Sequence, residues 1–204
     1  MARIKIHRKS VWIDMTSMVD VCFLLLTFFM LATKFKADDA VDISTPASIS
    51  ELEIPENTSI NILIDKNSRV FFGVTGNQFR GDLLSRIATQ KNINFSNYEK
   101  SIFRVIENFG VPLNQLKEYL DLPPSQRKAM DKVATGIPVT SDNDATNELY
   151  TWILSASRVT GNAPIIIKGD KIANIEVINK VIKTLQYQKS NRFIIITDLK
   201  KENN

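Results

Sequence analysis

The chain has 204 residues, 44% of them apolar and 24% charged, which is length and composition for one domain with a real core and excludes disorder throughout. Its formal charge of +4 is uneven: Arg3, Lys5, Arg8 and Lys9 precede the first apolar run, and setting them aside with Asp14 and Asp20 reduces 26 basic and 22 acidic residues to 22 and 20. A main body so close to neutral excludes the clustered basic face that nucleic acid requires, so no nucleic-acid partner is expected.

Cysteine and histidine occur once each, as Cys22 and His7. That rules out an intramolecular disulfide and a zinc site built from Cys and His, and no metal or cofactor is expected. Cys22 reads as a small apolar filler on a helix.

In chain order, a basic tail (residues 1–10) leads into the single apolar run of membrane length, residues 11–33. At about 1.5 Å per residue this run reaches roughly 34 Å, enough to cross a bilayer core, and a transmembrane helix is predicted over it. A signal peptide fits less well, because the charge lies inside the apolar stretch and Leu31-Ala-Thr-Lys-Phe-Lys36 offers no small-x-small cleavage site. Four basic residues before the run face only Lys34 and Lys36 just after it, followed by Asp38, Asp39 and Asp42. The amino terminus is therefore expected in the cytoplasm and the remainder across the membrane, in the periplasm of a Gram-negative cell.

Within that run stands Asp20. A carboxylate at such depth costs about 2.5–3.5 kcal/mol on insertion scales, so it points to function. At about 100° per residue, Thr16, Ser17, Asp20 and Thr27 share one sector, while Phe23, Leu25, Leu26, Phe28, Phe29 and Met30 cover the other faces. Asp14 points about 120° away from Asp20 and nearer the cytoplasmic end. A lone helix cannot satisfy Asp20 in hydrocarbon; the group must be protonated or face a partner helix or a water-filled cavity. A membrane partner is thus implied. Reached by water from each side in turn, the carboxyl could carry protons; alternatively it only glues this helix to another. The three hydroxyls read first as helix-packing groups and only second as a relay.

Residues 34–56 lack an apolar period and read as a linker with one short extended piece at residues 41–45. Residues 57–204 read as an outer mixed α/β domain. Ile60, Ile62 and Ile64, the turn Asp65-Lys-Asn-Ser68 and the return Val70-Phe-Phe-Gly73 form a hairpin pattern. Residues 79–90 suit a helix with Leu83, Leu84 and Ile87 inward. A second helical period carries Ile102, Val105, Ile106 and Phe109, a third carries Leu113, Leu116, Tyr119 and Leu120 before Pro123-Pro124, and a fourth spans residues 147–159 with Leu149, Trp152, Ile153 and Ala156 inward. Residues 136–146 read as loop. A strand at residues 165–168, a turn at Gly169-Asp-Lys171 with Asp170 as turn former or N-cap, a helix with Ile175, Ile178, Val181, Ile182 and Leu185 on one face, and a buried strand at residues 193–197 complete a βαβ pattern. The chain has no phosphate loop, and a single histidine leaves no Ser-His-Asp triad for the outer domain; no enzyme is expected.

The run Ile13-Asp-Met-Thr-Ser-Met-Val-Asp-Val-Cys-Phe-Leu-Leu-Leu-Thr-Phe-Phe-Met30 resembles the signature helix of the ExbD/TolR family, anchored subunits of proton-driven energy transducers. Val41-Asp-Ile-Ser-Thr-Pro-Ala-Ser48, Ile60-Asn-Ile-Leu-Ile-Asp-Lys-Asn-Ser-Arg-Val-Phe-Phe-Gly73 and the stretch from Pro164-Ile-Ile-Ile-Lys-Gly-Asp170 to Ile196 resemble that family's later segments. The resemblance implies an α+β fold: one amino-terminal transmembrane helix, an extended linker and a small periplasmic domain, with residues from about 92 to 160 as a helical insertion. It implies Asp20 as the proton-translocating carboxylate and a homodimer inside a pentameric ring of a multi-span partner similar to ExbB or TolQ. It further implies work on a TonB-like protein for outer-membrane transport, from the inner membrane. The alternative is a TolR-like envelope role, or a passive anchor that binds peptidoglycan with Asp20 as assembly glue. Ser17 departs from the family pattern, which has Pro there, so any softening of the helix at this point would come from Ser17 bonding back to a carbonyl.

Overall fold

The computed structural model describes residues 15–32, 58–140, 147–170, 172–190 and 192–197. The chain divides into two compact units, Met1–Lys36 and Ala37–Asn204. In the first, helix α1 covers Thr16–Ala32, 17 residues without Gly or Pro. No helix among the described residues is long and apolar enough to cross a membrane. The run expected to span, residues 11–33, is thus helical in its described part only over Thr16–Ala32, about 26 Å of rise against a hydrocarbon core of about 30 Å. Residues 1–14 and the expected linker with its strand at residues 41–45 lie outside the described residues.

The second unit is a mixed α/β domain, as an α+β reading requires. Its strands are β1 (Ile60–Ile64), β2 (Val70–Val74), β3 (Asn108–Phe109), β4 (Ile165–Gly169) and β5 (Phe193–Thr197). They form one sheet in the order β3-β2-β1-β4-β5, antiparallel on the β3–β2–β1 side and parallel on the β1–β4–β5 side. The helices are α2 (Asn77–Lys91), α3 (Asn97–Val105), α4 (Leu113–Asp121), α5 (Pro124–Val133), α6 (Glu148–Thr160) and α7 (Ile175–Tyr187). The β1–β2 turn closes as its residue types dictate: Asn67 N donates to Asp65 Oδ1 at 3.1 Å, Ser68 N donates to the Asp65 carbonyl at 2.7 Å, and Ser68 takes φ +61°. Helix starts follow the same logic. Ser96 and Glu99 form a capping box, and the side chains of Asn147 and Asn174 accept from Tyr150 N and Glu176 N.

Period-2 alternation puts Ile60, Ile62, Ile64, Val70, Phe72, Val74, Ile165 and Ile167 on one sheet face, where they share a core with Leu83, Leu84 and Ile87 of α2, Trp152, Ile153 and Ala156 of α6, and Val181 and Leu185 of α7. At its centre the Trp152 ring lies 4.8 Å from Phe109, 6.0 Å from Phe72 and 6.3 Å from Phe103. Residues 92–160 therefore do more than decorate the sheet: they supply β3 and three of these four rings.

Three expectations change. The helical period expected to carry Ile102, Val105, Ile106 and Phe109 breaks at Val105, which is exposed; Ile106 turns extended at φ −71° and ψ 120°, and Phe109 belongs to β3, opposite Phe72. The break has two physical causes. Buried Arg80 donates to the carbonyls of Val74 and Arg104, tying the end of α3 to the end of β2, and Gly73 lets β3 come close, since a Cβ there would stand 2.1 Å from the Glu107 carbonyl. Helix α5 begins directly after the period that ends before Pro123-Pro124, where no helix is expected, because Pro124 occupies the first helical turn, where proline is favoured. Among the described residues β5 is an edge strand rather than a buried one: it pairs there only with β4, and Ile195 is 41% exposed. An all-isoleucine run reads as doubly buried, but an edge position covers it less.

Gly110 packs against the fully buried Phe71, and a Cβ on it would stand 2.2 Å from the Phe71 ring. Gly110→Ala is expected to lower the stability of the full chain by about 1–3 kcal/mol through overpacking, measured as a shifted urea midpoint at unchanged slope.

Candidate functional site

Helix α1 carries one carboxyl, Asp20, in the sequence TSMVDVCFLLLTFFMLA, and a free, exposed thiol at Cys22. The ladder begins with Val19 N donating to the Met15 carbonyl at 3.0 Å. Phe23, Leu25, Leu26, Phe28 and Phe29 are each between 52% and 64% exposed, so the apolar surface runs round the helix instead of forming one core-facing stripe. A surface of this kind calls for apolar surroundings, lipid or other helices.

Thr16, Ser17, Asp20 and Thr27 all lie on α1 and, at about 100° per residue, within one sector about 100° wide. Thr27 is the half-buried member: its hydroxyl donates back to the carbonyls of Phe23 at 3.0 Å and Leu24 at 2.9 Å. Its polarity is thereby spent inside its own helix. Asp20 makes no hydrogen bond or ion pair with the described residues. An acid on an otherwise apolar helix, with no partner among the described residues, calls for proton uptake or a partner beyond them.

The outer domain uses its buried polar groups differently. Glu148, at the start of α6, accepts from Leu113 N at the start of α4 and from the Trp152 indole, and its carboxyl is pushed up by burial, partly offset by those bonds and by Lys91. Burial lowers Arg80, opposed by Glu107, while its bonds join β2 to α3. Asp170 shapes the turn after β4, its carboxylate accepting from Ile172 N at 3.1 Å. An open groove of about 610 Å³ is lined by Ser85, Arg86, Thr89 and Gln90 of α2 and Arg158 of α6. It offers guanidinium groups and hydroxyls without a base to activate a nucleophile. Among the described residues no group of three His, Cys, Asp or Glu is placed to hold a metal.

Sequence reasoning missed one buried titratable pair, Tyr119 of α4 and Asp131 of α5, joined by a 3.1 Å hydrogen bond. Tyr119 was legible as an inward residue. Asp131 was not, because no helix is expected from the sequence over residues 124–133, and an acid among polar neighbours carries no mark of burial.

Thr27→Val should leave amide exchange of α1 within about threefold of wild type, since a back-bonded hydroxyl contributes about 0.5 kcal/mol or less. Hydrogen exchange on the full chain in detergent measures this, and a larger loss would assign the hydroxyl a bond outside its own helix.

The family model described as Biopolymer transport protein ExbD/TolR matches residues 7–200. No curated protein and no solved structure matches the chain.

Proposed function

The chain belongs to the ExbD/TolR family, and on that premise we propose that it is a proton-motive-force transducer subunit in which Asp20 is the translocated-proton carrier. The family's role is energy transduction for biopolymer transport, by membrane-associated envelope proteins that work with membrane partners and are not enzymes. In this proposal residues 11–33 form a membrane-spanning helix, residues 1–10 lie in the cytoplasm, residues 34–56 are a linker and residues 57–204 lie in the periplasm. Two copies of the helix sit within a multi-span partner of the ExbB/TolQ type, and the outer domains act on a TonB-like protein. Thr16, Ser17 and Thr27 flank the carboxyl as packing hydroxyls.

The observation that carries this reading is Asp20 itself: the one carboxyl of a helix whose apolar side chains are exposed on all sides. A charge moved through the membrane field is worth about 2.3 kcal/mol per 100 mV, enough to bias a conformational step at each protonation. The linker then carries that motion outward.

Asp20→Asn in the full chain, produced with its membrane partner, is the test. It should co-purify with the partner as wild type does while proton-dependent transport falls at least about tenfold. Transport at the wild-type level would sink the proposal, and loss of co-purification would move Asp20 from proton carrier to assembly contact.

A further inference from the structure

The carboxyl end of α5 is held to the β1–β2 turn by one guanidinium. Arg69 Nη1 donates to the carbonyls of Asp131 at 3.0 Å, Lys132 at 2.7 Å and Ala134 at 3.2 Å. Its Nε donates to Asp65 Oδ2 at 3.0 Å, and its Nη2 pairs with the same oxygen. One cation thus closes the last turn of α5 and ties it to the hairpin, with Asp65 as counter-ion.

Against this clasp lies the Asp131 carboxyl, only 3% exposed. Its Oδ2 accepts from the Tyr119 hydroxyl of α4, and its Oδ1 is buried with no hydrogen-bond partner. One turn earlier on α5, Arg127 Nε is also buried and unpartnered. The charged and titratable groups that act on the carboxyl are therefore Tyr119 from α4, Arg127 from α5 and Arg69, backed by Asp65, from the β1–β2 turn. A neutral acid tolerates this dry site. An ionised one needs a donor at Oδ1 as well, which the present packing does not bring to it, so the helices must shift to admit one, water included.

We propose that Asp131 is a pH-operated latch on α5: protonated, it lets the helix seat against α4 and the β1–β2 turn; ionised, it admits water and loosens the helix. Burial pushes the carboxyl up to about 6 from an ordinary 3.8, against the opposing pull of Tyr119, Arg127 and Arg69. The folded value is raised, so the stabilising contribution is complete below about 4 and is lost as pH rises through about 6. Tyr119 stays a proton donor throughout, because burial first, and Asp131 second, raise it above its ordinary value. The latch belongs to the outer unit alone and does not rest on the role of Asp20.

Hydrogen exchange of the full chain in detergent, at pH 5 and pH 7.5 and corrected for intrinsic exchange, tests it. Two-state linkage between about 6 in place and 3.8 when open predicts an about tenfold loss of protection in α5 from the lower to the higher pH, with α2 and α6 unchanged. Asp131→Asn, an uncharged isostere, should hold α5 at the low-pH protection at both pH values. Tyr119→Phe removes a bond that lowers the carboxyl, so the midpoint of the transition should move to higher pH; this variant decides the matter if Asp131→Asn does not fold. Flat α5 protection in the wild type, an unaltered pH response in Asp131→Asn or an unmoved midpoint in Tyr119→Phe would each overturn the latch.

Discussion

The Trp152 indole is the point where four elements meet. Its ring touches Phe72 of the central hairpin, Phe103 of α3 and Phe109 of β3, while its Nε1 donates to Glu148 and so reaches the start of α4. Aromatic pairs of this kind contribute about 0.5–1.5 kcal/mol each beyond the area they bury. They join residues 92–160 to the sheet alongside the two-residue β3, the Arg80 and Arg69 clasps and the bond from Ile137 N to the Val70 carbonyl. With them, the helical stretch and the strands share one interior. Polar groups inside the domain then serve to close helix ends and turns, which is how Arg69, Arg80 and Glu148 are spent.

What could be read from the sequence follows the strength of each local signal. Ile60, Ile62 and Ile64 with Asp65-Lys-Asn-Ser68 announce a hairpin because alternation and turn chemistry agree. The helices around Leu83 and Ile87, Trp152 and Ala156, and Val181 and Leu185 are legible because a 3.6-residue apolar period faces one core. Where the reading failed, a tertiary contact outweighed the local pattern. Ile106 and Phe109 continue a helical period, yet strand pairing to β2 and the Arg80 bond to the Arg104 carbonyl turn the chain away at Val105. Pro124 looks like a terminator and is also a good first residue of a helix. The isoleucines of β5 look central, because hydropathy does not record how many neighbours a strand has.

The candidate site was legible for the opposite reason. Asp20 stands out through its solvent mismatch, a property of the chain that needs no tertiary contact to be seen. Asp131 is also an acid out of water, but it sits between Arg127 and Lys132 in a polar helix, and only packing against Tyr119 exposes the mismatch. The two acids lie in different units and answer to different surroundings: on the proposed readings one takes up its proton within a membrane partner, the other within its own domain.

The pairing of β1 has a mechanical consequence. Each of its five residues is registered with β2 on one side, Ile60 to Val74 through Ile64 to Val70, and with β4 on the other, Ile60 to Ile165 through Ile64 to Gly169. Among the described residues, β1 is the first element of the outer domain. Ladder bonds run across the strand direction, so a tug along β1 loads both ladders in shear, with the bonds sharing the force, whereas a tug on an edge strand would peel bonds one at a time. On the proposed reading, a pull reaching the outer domain through β1 would load a strand held on both sides rather than an edge that can be peeled.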